Sequence, residues 1–121
     1  MTKQEFENLT RERAIEEHRK MWNWIADETE KRKYKVDKVI YFIEHKDEYP
    51  IIPHIRCWCC EYDGCHACKK CPINWKNEDN YCGNKSIYVS WDLADDFSYE
   101  LCASLARQIA NLPEREEVVN G

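Results

Sequence analysis

Residues 57–72 read CWCCEYDGCHACKKCP and hold six of the chain's eight cysteines. The chain has 121 residues, enough for one modest core, so a single domain over 1–121 is expected. The N-terminal MTKQEFENLTRERA is polar and mixed in charge, and no apolar run approaches the ~20 residues of a membrane span. The expectation is a cytoplasmic chain with no membrane partner. Thiols stay reduced there, so a dense cysteine cluster points to a metal site before disulfides.

Zinc takes four soft ligands in a tetrahedron, and Cys-x-x-Cys lets two thiolates from one turn reach one ion. Cys57 and Cys60 form one clear pair. The second is Cys65 with Cys68 or Cys68 with Cys71, and spacing does not choose between them. Cys59, Cys82, His54 and His66 are nearby alternates. Asp63-Gly64 supplies a turn between the pairs. Cys65-x-x-Cys68-x-x-Cys71-Pro72 also resembles part of an iron–sulfur run. That run carries one more cysteine before its proline, and its absence here favours zinc.

Working outward, residues 3–33 lack Gly and Pro, are rich in Glu, Lys and Arg, and predict one long helix. Ala14, His18, Met21 and Ile25 form its apolar stripe, with Trp22 at one edge and Trp24 beyond the other. His18 on that stripe reads as a hydrogen-bonded core residue. Residues 36–48 predict a second, shorter helix despite the β-branched run at Val39–Ile43. Pro50 and Pro53 lead into the knot at 54–82. KSIYVSW at 85–91 alternates like a short strand, and 92–112 predicts a final helix with Ala94, Phe97, Leu101, Leu105, Ile109 and Leu112 on one face. The expected fold is mainly α, with a zinc-centred, ribbon- or knuckle-like insert and at most one or two short strands.

HRKMWNWIADETEKRK at 18–33, CWCCEYDGCHACKKCPINW at 57–75 and ARQIANLPER at 106–115 resemble a family of small, cysteine-rich zinc-binding proteins of phages and prophages of Gram-positive bacteria. The resemblance implies Cys57, Cys60, Cys68 and Cys71 as the ligands; two Cys-x-x-Cys pairs make one closed site, so one zinc per chain is expected, with Cys65, Cys82, Cys59 and His66 as alternates. It also implies residence in the host-cell cytoplasm, and it carries no activity to inherit.

Catalysis is not expected. Four thiolates fill the zinc shell, whereas a zinc enzyme keeps a position open. No His-x-Glu precedes a Pro-Cys-x-x-Cys, as a zinc deaminase requires. A Cys–His nucleophile could be assembled only from Cys82 or Cys102 with one of the scattered histidines, and Cys102 falls beside an apolar helix face. Gly64, Gly83 and Gly121 are the only glycines, too few for a phosphate-cradling loop.

Binding remains. Trp22, Trp58, Trp75 and Trp91 are expected to fill the core, while Trp24 is expected at the surface as a partner anchor with Lys31, Lys33 and Tyr34. The net charge is −5, and residues 77–121 carry nine acidic side chains against three basic ones. That balance disfavours nucleic acid, leaving Lys31–Lys35 as the sole local basic run and a nucleic-acid-associated zinc module as the weakest reading. The leading expectation is a non-enzymatic accessory protein that binds a host protein, in host takeover or anti-defence. The alternative is an oligomeric sponge for a nucleotide-like signal. A homodimer or higher oligomer suits the narrow apolar stripe.

Overall fold

The computed structural model describes residues 1–53, 56–64, 71–76, 82 and 86–116. These form six α-helices: α1 (Lys3–Glu7), α2 (Arg11–Arg32), α3 (Lys38–Glu44), α4 (Trp58–Asp63), α5 (Ile87–Leu93) and α6 (Tyr99–Ala110). A 3₁₀ turn, Asp96–Ser98, precedes α6. The protein is mainly helical, and no sheet forms among the described residues. Their sole β-type pairing is an antiparallel bridge between Ile73 and Glu114. No helix among them is long and apolar enough to cross a membrane.

The expected helix over 3–33 is two helices. Thr10 adopts an extended conformation and its side chain accepts from Arg13 N at 3.1 Å, starting α2 afresh. Threonine competes with helical backbone for local hydrogen bonds, so it serves better as a cap than as an interior residue. Thr2 and Glu5 cap α1 reciprocally in the same way. Lys33 ends α2 in the left-handed conformation, φ 60°.

Around α2 the other helices assemble. It packs most extensively on α6, and also on α4 and α3. The stripe Ala14, His18, Met21 and Ile25 is buried as its spacing predicts, and Trp22 is buried with it. Thr29 closes the stripe: its hydroxyl accepts from Val36 N at 3.1 Å, fixing the turn into α3. The second segment is helical over Lys38–Glu44, shorter than 36–48, because Asp37 caps Val39 N and the helix ends at His45.

The strand expected at 85–91 is α5. Ser86 precedes it in extended conformation and accepts from Val89 N at 3.4 Å. Burial of Trp91 against Trp22, their rings edge-to-face at 4.8 Å, outweighs the β propensity of this short β-branched run. The last helix also starts later than 92, since Ala94 is extended and the 3₁₀ turn intervenes. Its buried face is Cys102, Ala103, Ala106, Ile109 and Ala110, whereas Phe97 and Leu101 lie outside. Small residues let α6 approach α2 closely.

Trp22, Trp58, Trp75 and Trp91 are all buried, as the core reading requires. Trp24 is not a free surface residue. Its ring meets Tyr41 edge-on at 5.4 Å and His45 at 5.0 Å, with the Arg32 guanidinium 5.6 Å from its centroid. A helix that crosses the stripe's edge covers it: α3 folds back along α2, held by Arg32 between Glu28 and Glu44 at 2.9 and 2.7 Å. Trp24→Ala is therefore expected to lower unfolding free energy by about 2–3 kcal/mol in a urea titration. A change within ~0.5 kcal/mol would return Trp24 to the surface.

Candidate metal centre

Cys57 is the N-cap residue of α4, and Cys60 lies three residues on, in the helix's first turn. That spacing puts both thiols on one side of the turn. Cys71 approaches from the segment tied to the C-terminal extension, where Asn74 N donates to Pro113 O at 2.9 Å and Arg115 N to Pro72 O at 2.7 Å. Cys82 approaches from the residues ahead of α5, where the Ser86 hydroxyl donates to the Cys82 carbonyl. Thiols from three parts of the chain thus lie alongside one another.

The thiols touch in series. Cys59 contacts Cys57 and Cys71, and Cys60 contacts Cys57 and Cys82. The five form a chain of neighbours in the order 71, 59, 57, 60, 82. All are free thiols. Among the described residues no three His, Cys, Asp or Glu side chains already close around a common point as a bound ion requires.

Within this chain the sulfurs alternate in character. Cys57 accepts from Cys59 and Cys60, which holds its thiol well below the usual cysteine range. Cys71 lies beside the Cys59 sulfur and accepts from the Trp75 indole N–H, 3.4 Å away, and these contacts lower it too. Cys59 and Cys60, hydrogen-bonded to neighbouring sulfurs and buried, are pushed up. Hydrogen bonds to a thiolate favour the charged form and those from a thiol favour the neutral one.

His18 reaches this cluster from α2. Its Nε2 lies 3.1 Å from the Ile109 carbonyl oxygen, and its Nδ1 lies 3.7 Å from Cys59 Sγ. A carbonyl only accepts, so Nε2 carries the proton and the Nδ1 lone pair faces the sulfur. Burial lowers the imidazole's pKa and keeps the ring neutral.

Of the ligands expected from the sequence, Cys57, Cys60 and Cys71 are brought together, and the alternates Cys59 and Cys82 join them. Cys65, His66, Cys68 and His54 lie outside the described residues. His18 is the residue that sequence spacing could not enlist. Its place on the stripe marked it as core, and core it is, but with one nitrogen turned to the thiols. Cys102 is elsewhere, its thiol toward the Asp95 carbonyl at 3.5 Å. Lys31, Lys33 and Tyr34 are exposed around the end of α2.

Beside Cys57, Cys60 and Cys82 lies a cavity of about 90 Å³, walled also by Trp22, Trp75, Tyr88 and the cationic Lys38 and Arg56. Lys38 is buried and donates to the Tyr88 hydroxyl at 2.8 Å. No family model, curated protein or solved structure matches the chain.

Cys59 is 1% exposed and touches Cys57, Cys71 and His18. Its replacement by the more strongly solvated serine is expected to cost about 2 kcal/mol in chemical unfolding. A loss under ~0.5 kcal/mol would make Cys59 a bystander to the cluster.

Proposed function

We propose that this protein is a small, non-enzymatic binding protein whose cysteine segment is fastened to the helices by zinc, and which acts by docking on a partner protein. Sulfur donors support zinc as the ion, with Cys57, Cys60 and Cys71 in its shell and Cys68 the fourth ligand in the set implied by the resemblance. Bound there, zinc would supply a cross-link between α4 and the segment before Trp75. Such a centre stabilises; the surface that does the work lies away from it.

One observation carries the docking surface. Phe97 is 95% exposed, and Leu93 and Leu101, four residues to either side, are 78% and 52% exposed. Asp92, Asp95 and Glu100, all exposed, rim these apolar side chains at the corner between α5 and α6. A large aromatic held in water on an ordered turn is an unfavourable arrangement for a chain with no use for it. Its acidic rim fits a partner with an apolar groove edged by Lys or Arg. This corner, rather than Trp24 with Lys31, Lys33 and Tyr34, is the better-supported anchor. The likeness to phage proteins makes a host protein the partner of choice, in host takeover or anti-defence.

The nucleotide sponge gains the aromatic and cationic lining of the thiol-side cavity. However, about 90 Å³ is well short of the ~300 Å³ at which small-molecule sites begin. A nucleic-acid role through Lys31–Lys35 loses one cation, since Lys35 Nζ is already bonded to the Trp91, Asp92 and Ala94 carbonyls.

The test is capture from a host lysate by wild type and by Phe97→Asp in parallel, with melting temperatures measured for both. The variant is expected to melt like wild type and to bind the captured protein about 30-fold more weakly, some 2 kcal/mol, the usual loss at an interface hot spot. A basic-grooved protein lost only with the variant supports the reading. Undiminished capture overturns it, and wild-type dimers that dissociate on Phe97→Asp would give the corner to a second copy of the chain instead.

A further inference from the structure

We infer that Cys57 and Cys60 are a site of reversible oxidation, in which a small peroxide enters the cavity beside them and converts the two thiols into a disulfide. The inference goes beyond the zinc reading and does not rest on it.

Access sorts the described thiols into two groups. Cys57, Cys60 and Cys82 are partly exposed and line the cavity of about 90 Å³. Cys59, Cys71 and Cys102 are buried and do not line it. Each of these three is engaged elsewhere: Cys59 with His18 Nδ1 at 3.7 Å, Cys71 with the Trp75 indole N–H at 3.4 Å and Cys102 with the Asp95 carbonyl at 3.5 Å. A single water needs ~10–15 Å³ of such space, so the cavity admits a molecule of a few heavy atoms and excludes one the size of a tripeptide disulfide. Met21, Trp22, Trp75 and Tyr88 form much of its wall, which suits an uncharged oxidant.

Local backbone geometry pairs the two sulfurs. Cys57 is the N-cap of α4, and Cys60 is the third residue of that helix. An N-cap side chain and the third helical residue face each other, the relation a capping box uses. Helical geometry sets Cα atoms three residues apart at ~5 Å, inside the ~4.4–6.8 Å that a disulfide spans. Cys57 is extended, with φ −135° and ψ 118°, and its side chain makes no capping bond, so it can turn to Cys60 while α4 stays wound. The helical bond from Glu61 N to Cys57 O, 3.0 Å, involves neither sulfur. Cys82 reaches the same cavity from a separate segment and lacks this fixed relation.

Atoms and electrons balance in two steps. The Cys57 sulfur attacks one peroxide oxygen: an S–O bond forms, the O–O bond breaks, and water or an alcohol leaves with the thiol proton. The Cys60 sulfur then attacks the resulting sulfenic acid: the S–S bond forms, the S–O bond breaks, and water leaves with the Cys60 proton. The two thiols lose two electrons and the peroxide gains them. A dithiol reductant restores the pair by exchange.

The experiment titrates reduced, full-length protein with hydrogen peroxide, then alkylates, digests and maps it by tandem mass spectrometry. Zinc is counted in the same sample beforehand, so its absence tells against the zinc reading alone. The expected result is one disulfide, Cys57 to Cys60, formed with loss of two hydrogens and reversed by dithiothreitol, while Cys59, Cys71 and Cys102 alkylate once the chain is unfolded. In Cys60→Ser the sulfenic acid on Cys57 has no partner, and its trapping by dimedone should rise at least ~10-fold over wild type. The wild-type map decides the matter even where that variant fails to fold. A disulfide to Cys59, Cys71 or Cys82, or a Cys57 and Cys60 pair that peroxide leaves reduced, overturns the inference.

Discussion

The His18 imidazole is the joint on which the structure turns. It is buried, it sits on α2, and its two nitrogens face two different partners: the last turn of α6 at Ile109 and the cysteine segment at Cys59. A buried imidazole left without partners is costly, so both contacts are obligatory and together they set where α6 and α4 stand against α2. The same rule governs its neighbour. Glu17 is buried, with Arg13 at 3.0 Å on one oxygen and the Tyr49 hydroxyl at 2.6 Å on the other, and the Tyr41 hydroxyl donates in turn to Tyr49. Burial pushes both phenols upward, and for Tyr49 the bonds to Glu17 and Tyr41 add to the rise, so both stay neutral. Apolar packing brings α2 its partners, and these polar contacts choose among the ways they could sit.

How far the fold could be foreseen depended on what decides each element. The α2 stripe was legible because Ala14, His18, Met21 and Ile25 keep helical spacing over three turns, and burial follows period. The break at Thr10 was written in the residue type but hidden by the absence of Gly and Pro around it. In α5, seven residues of β-branched and aromatic character carry no decisive period, and the outcome rests on Ser86 as a cap and on Trp91 meeting Trp22, a contact between residues far apart in sequence. In α6 the largest apolar residues, Phe97 and Leu101, suggested the wrong face. The true one is made of alanines and Cys102, whose value lies in how close they let another helix come, which residue-by-residue hydrophobicity does not measure.

The site was legible to a similar degree and for similar reasons. Cys57 and Cys60 stood out by spacing, since two thiols in one turn are neighbours whatever the rest of the fold does, whereas spacing left Cys71 as one of two choices. Cys59 belongs to no Cys-x-x-Cys pair, and the approach of α2 and Cys71 gives it partners that spacing does not. Trp24 looked unattached for the converse reason, as α3 had not yet been laid beside it.

Lys35 ties these parts in one more way. Its ammonium sits on three carbonyl oxygens at the end of α5, at 2.8, 3.0 and 3.2 Å, and 4.4 Å from the centre of the Trp91 ring. It is a helix cap supplied from more than fifty residues away, a positive charge set where the α5 dipole ends negative. The corner bearing Leu93 and Phe97 is thereby moored to the loop that leaves α2. Acetylation at this one lysine would strip both the charge and the donors, and would slacken the mooring while leaving every apolar contact of the core in place.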